Sequence, residues 1–309
     1  MNIIITESND ITSDLVMEWL ISKKTKIRRL NNEVPNSISY AISNSGNIFV
    51  VENSIPEKIW HRRGKLSTTI PINREHSLNE YLKKESDSVI KSIELDLKHS
   101  IKYVGSFLKE TENYKLTQLN FAKSSGLKIP NTLVTSSKKQ LLEFINKYEK
   151  VVSKDIRYPV NFSVKDETFN SSGTILIDNQ VLKNLNNIFN LILIQEYIEK
   201  EHELRIFFFE EKLYPMAIFS QSNEKTKIDF RNYDLELPNR CVPVKLPKII
   251  EQKLLDFTKK MELNTGSIDM IYSIDKEYVF LEVNPQGQLD WLSKSCNYYI
   301  ERDISDFFH

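Results

Sequence analysis

Ser267-Ile268-Asp269-Met270-Ile271-Tyr272-Ser273 and Tyr278-Val279-Phe280-Leu281-Glu282-Val283-Asn284, with Ile274-Asp275-Lys276-Glu277 between them, are the segments on which the reading of this chain turns. Two largely apolar runs flank a polar turn centred on Asp275-Lys276, the pattern of a β-hairpin. If Ile274 pairs with Glu277, the register sets Asp269 opposite Glu282. Directly opposed side chains have Cβ atoms about 4.5–5.5 Å apart, and like charges there repel. Asn284 projects from the same face as Glu282, because strand side chains alternate. Two carboxylates and an amide oxygen, without imidazole or thiolate, suit a hard cation such as Mg²⁺. The plain alternative is a surface hairpin with scattered acids. Against it, Ile268, Met270, Val279, Leu281 and Val283 place the hairpin in a core, where an unpaired carboxylate is costly, and Pro285 ends the strand sharply. Relief of the like-charge pair is expected to leave variants lacking one carboxylate folded, or even more stable.

Outward from this hairpin, strands and helices interleave along the chain, which makes the class α/β or α+β. Asn2 to Thr6, Ile38 to Ile42 and Ile48 to Val51 read as strands, and Asp10 to about Ser22 as a helix. From His76 to Glu110 the residues Leu78, Leu82, Val89, Ile93, Leu97, Ile101, Val104 and Leu108 form one stripe of a long helix that closes a first domain. Helices follow at Leu116 to Ser125 and Lys138 to Tyr148. Strands are expected at Val151 to Lys154, Val160 to Lys165, Thr174 to Ile177, Leu191 to Gln195, Leu204 to Phe209 and Leu213 to Phe219. A polar stretch, Gln221 to Asn239, precedes a helix at Lys248 to Met261, and a last helix runs from near Gln288 to Phe308. The expected units are residues 1–110, 111–198 and 199–309.

At 309 residues and 40% hydrophobic content, the chain has material for two or three packed subdomains. Lys+Arg 42 balance Asp+Glu 42, so no overall field draws it to nucleic acid or an anionic membrane. Residues 1–7 do not read as a secretion signal, and no run approaches the roughly 18 apolar residues of a membrane span. Cys241 and Cys296 lack CxxC partners, so neither a disulfide framework nor a zinc site is implied, and a cytoplasmic location is expected. His61, His76, His99, His202 and His309 show no metal-ligand spacing, and His202 reads as a loop residue.

Neither GxxxxGK[ST] nor GxGxxG occurs among the seven glycines, so side chains must meet any phosphate charge. Lys115 opens a helix, Lys154 ends a strand, and Gln195-Glu196-Tyr197-Ile198 leaves a strand as a short polar connection able to offer backbone groups to an adenine edge. Taken singly, each reads more readily as a solvated lysine or an ordinary strand end.

Their order, Lys115, Lys154, Gln195-Glu196-x-Ile198, Asp269, Glu282-x-Asn284, resembles the ATP-grasp superfamily over about residues 110 to 300, and the opening segment is similar to a pre-ATP-grasp domain. The resemblance implies an α/β (α+β) ATP-grasp fold with a central lid subdomain and a C-terminal catalytic subdomain. Trp60-His61-Arg62-Arg63 is similar to the WxRR element of the graspetide synthetases, the microviridin-type peptide macrocyclases. Glu203-Leu204-Arg205, Asp229-Phe230-Arg231 and Glu282-Val283-Asn284-Pro285-Gln286-Gly287-Gln288 with Trp291 resemble their ELR, D-x-R and ENPxGQ-x-x-W segments. By this resemblance Lys115 and Lys154 touch ATP phosphates, Gln195, Glu196, Tyr197 and Ile198 hold adenine, and Glu203 contacts ribose. Asp269, Glu282 and Asn284 bind Mg²⁺.

The implied reaction activates Asp or Glu side chains of a leader-bearing ribosomal precursor peptide as acyl phosphates, which Thr, Ser or Lys side chains of the same peptide then displace. Arg205 and Arg231 are candidates to hold the acyl phosphate or the acidic side chain, although Arg205 reads equally as an ion-pair partner of Glu203. The Trp60 to Arg63 element reads either as a direct participant or as a structural anchor whose arginines pair with acidic neighbours. A homodimer is compatible with the family. One departure stands out: Asp166 to Gly173 has one glycine where many ATP-grasp enzymes carry a glycine-rich loop. The same core would also serve a ligase adding free amino acids to a carboxylate, or a silent nucleotide-gated peptide-binding module.

Overall fold

The structure is a computed structural model that describes residues 1–68, 76–157, 161–164, 167–170, 173–223, 225–231 and 234–309. The ends of the expected strand Val160 to Lys165, and residues 166, 171 and 172 of the glycine-poor segment, lie outside the described residues. Among the described residues no helix is long and apolar enough to cross a membrane.

Three consecutive isoleucines make β1 (Asn2–Thr6) a strand buried on both faces, as parallel sheets require. It pairs in parallel with β2 (Ile27–Asn31) and β5 (Lys58–His61), and β6 (Lys102–Val104) completes the order β2-β1-β5-β6. Helix α1 (Ile11–Ser22) starts at Asp10, whose carboxylate accepts the Ser13 N–H at 3.0 Å. A separate hairpin, β3 (Ile38–Ser43) and β4 (Gly46–Val51), covers part of this unit.

The expected long helix is shorter. Helix α2 (His76–Ser100) stops before β6, and Leu108 sits on a further short helix, α3 (Phe107–Thr111). Gly105 makes the turn between them at φ +83°, where a Cβ would lie 1.9 Å from the His61 carbonyl oxygen. The buried face of α2 is Ile90, Ile93 and Leu97, while Leu78 and Val89 of the expected stripe are exposed. Apolar residues of the following strand had fallen in phase with the helical period.

Next come α4 (Lys115–Ser124), β7 (Thr132–Ser137), α5 (Lys138–Tyr148), β8 (Val151–Lys154), the hairpin β9 (Asn161–Val164) and β10 (Glu167–Asn170), β11 (Thr174–Leu176), α6 (Asn179–Asn184) and β12 (Ile188–Glu196). Strands β11-β8-β12-β7 form an antiparallel sheet with α5 on one face.

The last unit is an antiparallel sheet in the order β15-β14-β13-β16-β17, from β13 (Lys200–Phe209), β14 (Lys212–Phe219), β15 (Arg240–Pro243), β16 (Thr265–Ser273) and β17 (Tyr278–Asn284). Helix α7 (Lys248–Lys260) and α4 cover one face, where the Phe257 and Phe280 rings meet at 4.7 Å. On the other face Phe207, Phe209 and Met216 pack with Ile4, Leu20 and Trp60, so the first and last units share a core. The expected final helix is two, α8 (Asp290–Cys296) and α9 (Ile300–Phe307), because Asn297 and Tyr299 take left-handed φ angles of 56° and 55°.

The deciding hairpin pairs Asp269 with Glu282 as expected, by a different route. Asp275-Lys276 cannot readily supply the two left-handed residues of a two-residue turn. Instead the loop has three residues, Ile274 to Lys276, closed by Lys276 N–H to Ser273 O at 3.0 Å with Lys276 at φ 64°. Met270 therefore pairs with Phe280 and Ile271 with Val279, and an extra residue at Leu281, a β-bulge, restores the Asp269–Glu282 pair. The bulge lets Phe280 and Val283, three residues apart, both face the α4–α7 core while Glu282 faces the other way. Deleting Leu281 should remove the bulge yet leave Glu282 opposite Asp269 and Val283 in that core, so the deletion should still give a cooperative thermal transition, as should Leu281→Ala, which keeps the bulge, with a loss below about 2 kcal/mol.

Candidate functional site

Arg205 on β13, Asp269 on β16 and Glu282 on β17 are cross-strand neighbours, so one row across the sheet reads cation, carboxylate, carboxylate. Both Nη1–Oδ distances from Arg205 to Asp269 are 2.8 Å, and the side chains are only 12% and 11% exposed. Glu282, 24% exposed, lies 3.3 Å from Lys115 Nζ and 3.5 Å from Arg231 Nη1. Arg231 is held from behind by Asp229, through Nε at 2.8 Å and Nη2 at 2.7 Å. The cation demanded by the opposed carboxylates is thus partly supplied by the protein.

Burial pushes the Asp269 carboxyl above its ordinary value against the pull of Arg205. Burial also opposes ionisation of Glu282, but Lys115, Lys154 and Arg231 together outweigh it and hold its carboxyl below the usual range. Lys154, at the end of β8, is pushed down to about 8 by burial, in spite of the attraction of Glu282. Asp229 keeps a lowered value because its bonds to Arg231 overcome its burial.

A cleft with about 690 Å³ of space, part of it open to solvent, lies where the central and last sheets meet. Lys154, Gln195, Glu196, Tyr197, Ile198 and Glu203 line it, together with Asp229, Arg231, Asp269 and Glu282. An adjoining cavity of about 590 Å³ shares Lys154, Arg231 and Glu282 and adds Lys115, Arg157 and Asn284. Residues expected from five separate segments are therefore brought together. The exception is Arg205, which lines neither cavity and stands behind Asp269. Its partner is Asp269 and not Glu203, whose carboxylate accepts Lys200 Nζ at 2.6 Å and the Ser220 hydroxyl. Glu196 and Tyr197 donate their backbone N–H groups to Asn131 O at 3.0 Å and Lys150 O at 2.9 Å, whereas the Ile198 N–H has no partner among the described residues.

Sequence reading missed Lys200 and the apolar lining, Pro130, Val152, Ile228 and Leu281, because apolar residues carry no motif. It also missed Gln118 of α4, whose Oε1 accepts Val283 N–H at 2.8 Å while its Nε2 donates to Val283 O at 3.2 Å, closing the exposed edge of β17. His202 is not in a loop: it lies on β13 with its ring 5.0 Å from Tyr272 and 5.2 Å from Phe219.

The Trp60 to Arg63 element is anchored. Trp60 is buried in the shared core, Arg62 donates to Gln286 O at 2.9 Å and lies 3.5 Å from Asp10, and Arg63 lies 3.7 Å from both Asp10 and Glu7. Burial lowers the Arg62 value to about 10, and Asp10 resists that shift. Asn284 Oδ1 accepts the Gln286 N–H at 2.9 Å, and Gly287 lies so close to Ser267 that a Cβ there would be 2.0 Å from its Oγ. The first unit therefore holds the loop that follows Glu282.

The profile of the RimK-like ATP-grasp domain matches residues 88–308. This chain belongs to the RimK-like ATP-grasp family. Over 99% of its length the ligase is similar to a RiPP-associated ATP-grasp ligase of Chryseobacterium gregarium, solved in complex with ADP and a leader and core peptide, with 25% identity, 94% of that chain covered and a TM-score of 0.83. It is also similar over its whole length to the macrocyclase MdnC of Microcystis aeruginosa MRC bound with precursor peptide MdnA, with 27% identity, 99% of that chain covered and a TM-score of 0.80. The ATP-grasp ligase PsnB, complexed with a minimal precursor, Mg and ADP, shares the fold at 14% identity and a TM-score of 0.76, over 99% of this chain and 96% of that one. No curated protein sequence matches the chain.

The ion pairs overturn the expectation that removing a carboxylate stabilises the ATP-grasp core. Loss of the Asp269 charge strands a nearly buried guanidinium, so Asp269→Asn should cost about 3 kcal/mol. Glu282→Gln, at a more exposed position with several cations around it, should cost clearly less. Urea midpoints of the two purified variants measure the difference.

Proposed function

We propose that this ligase uses ATP and Mg²⁺ to activate Asp or Glu side chains of a leader-bearing ribosomal precursor peptide as acyl phosphates, and joins them to Thr or Ser hydroxyls or Lys amines of the same peptide. The observation that carries the reading is one cavity lined by Lys154, the 195–198 connection, Glu203 and both carboxylates, with Lys115 and Asn284 in the space adjoining it. The peptides bound to the C. gregarium ligase and to MdnC support the substrate class.

Adenine would lie against Val152, Ile198 and Leu281, with the unpartnered Ile198 N–H as a donor to its edge. Glu203 faces the ribose region. Lys154 and Lys115 neutralise phosphate charge. Asp269 and Glu282 are cross-strand neighbours and Asn284, two residues after Glu282, shares its face, so the donor set offered to a cation is Asp269, Glu282 and Asn284. All are hard oxygen donors and fit Mg²⁺, which supplies charge stabilisation to the phosphates when bound. Lys115 and Arg231 neutralise the Glu282 carboxylate of this donor set.

Arg231, 45% exposed and bordering both cavities, has a guanidinium edge to offer an anionic acyl phosphate or carboxylate. Arg205 acts one step back, fixing the Asp269 carboxylate by its paired bonds. No protein nucleophile is needed, since the peptide supplies both reacting groups. Catalysis then rests on positioning and charge stabilisation.

Nucleotide phosphates favour the charged form of Lys154, which burial disfavours in the free enzyme. Binding of a non-hydrolysable ATP analogue should therefore take up roughly half a proton at pH 8, since the free lysine titrates at about 8, and affinity should fall as pH rises above that value. Calorimetry in two buffers of different ionisation heat measures the uptake, which Lys154→Ala should abolish. In the unliganded enzyme the sign is opposite: the unfolded chain holds the extra proton between about pH 8 and 10.5, so this lysine adds stability as pH rises through that window.

Incubation with ATP, Mg²⁺ and precursor should lower the peptide mass by one water per bond formed, and Asp269→Asn or Glu282→Gln should remove that product. A precursor that instead gains mass, and only when a free amino acid is supplied, would replace macrocyclisation by amino-acid addition.

A further inference from the structure

Lys200 opens β13, and simple alternation would point it to the same face as His202, toward the aromatic rings of Phe219 and Tyr272. The pairing to β16 slips at this point: Lys200 faces Ser273 and His202 faces Tyr272, so Glu201 is an extra residue. This bulge turns Lys200 onto the face of Glu203. Its side chain is 4% exposed, and its ammonium donates to Glu203 Oε1 at 2.6 Å and to Ile228 O at 3.1 Å. A lysine this deeply placed is rare unless each of its donors has work.

Glu203 lines the cleft between the central and last sheets and also accepts the Ser220 hydroxyl at the end of β14. Ile228 directly precedes Asp229-Phe230-Arg231, whose arginine lies 3.5 Å from Glu282. One ammonium thus joins the wall of the cavity to the segment that carries a guanidinium into the carboxylate row. No motif in the sequence marks this lysine.

We propose that Lys200 is a positioning residue that couples nucleotide occupancy of this cleft, as read above, to the placement of Arg231. A ribose hydroxyl engaging Glu203 shares that carboxylate with Lys200, and the Lys200 bond to Ile228 O carries the constraint to residues 229–231. The link is a hydrogen-bonded chain of three groups, in which the Lys200 and Glu203 side chains are buried and the Ile228 carbonyl partly so, which limits competition from water.

The test compares the full-length parent with Lys200→Met, which keeps the length of the side chain and removes the donor. A non-hydrolysable ATP analogue should bind the variant roughly tenfold more weakly, the effect of one charge-assisted hydrogen bond. At saturating analogue, amide exchange over residues 225–231 should slow on binding in the parent and show no slowing in the variant. A purely structural role would raise exchange there with and without nucleotide and leave the nucleotide-dependent slowing in place; that result overturns the proposal. If Lys200→Met does not fold because Glu203 is left buried and unpaired, Lys200→Gln, which keeps a neutral donor for Glu203 on a shorter side chain, carries the same measurement. A parent that binds no nucleotide overturns the cavity assignment itself, whereas retained slowing in the variant overturns only the Lys200 link.

Discussion

Two carboxylates held opposite one another in the middle of a packed sheet are the constraint to which the rest of this structure answers. Asp269 and Glu282 share one cross-strand pair, and neither is well solvated. Every nearby element brings positive charge toward them: Arg205 from β13, Lys115 from the start of α4, Lys154 from the end of β8 and Arg231 from the segment after β14. The arrangement is asymmetric. Asp269 is bound in two places by one guanidinium, while Glu282 is touched more loosely by groups that border open cavities. A carboxylate so placed can exchange a protein cation for an arriving one more readily than Asp269 can, which suits the metal and phosphate proposed for this site.

The β-bulges are what make this geometry compatible with a core. At Leu281 the bulge separates the faces of Phe280 and Glu282, and at Glu201 it separates those of His202 and Lys200. In each case a strict two-residue alternation would send a charged group to the apolar face or an aromatic ring to the site. The sheet keeps a continuous apolar face against α4 and α7 and still presents charge on the other.

The first unit contributes through packing as much as through chemistry. Trp60 fills the core it shares with the last helices, and Arg62 holds Gln286 O in the loop that follows Glu282 and Asn284. Glu110, beside this loop, is pushed up to about 7, chiefly by burial, and accepts the Gln286 side-chain amide. Arrangements at the domain junction therefore bear directly on where the strand ends and the site begins.

Much of the site was legible because charge in an apolar strand is conspicuous. Asp269 opposite Glu282 follows from residue type and alternation, whereas Lys115, Lys154 and the polar exit at Gln195 to Ile198 stood out only through their resemblance to the ATP-grasp order. The apolar walls of the cavity were not legible, since Val152, Ile228 and Leu281 look like any other core residues. Nor were the partners of charged groups: Arg205 two residues from Glu203 reads as a local pair, but the sheet offers Asp269 across the strand at the same height. The helix ending at Ser100 was hidden for a related reason, because strand residues Val104 and neighbours kept the helical phase. Periodicity and composition by themselves determined the α/β class, the hairpin and the sign of the charges in it, for these depend only on local alternation. Tertiary structure alone decided which cation meets which carboxylate, where the bulges fall and which apolar residues wall the cavity, because those depend on the three-dimensional neighbours that distant segments provide.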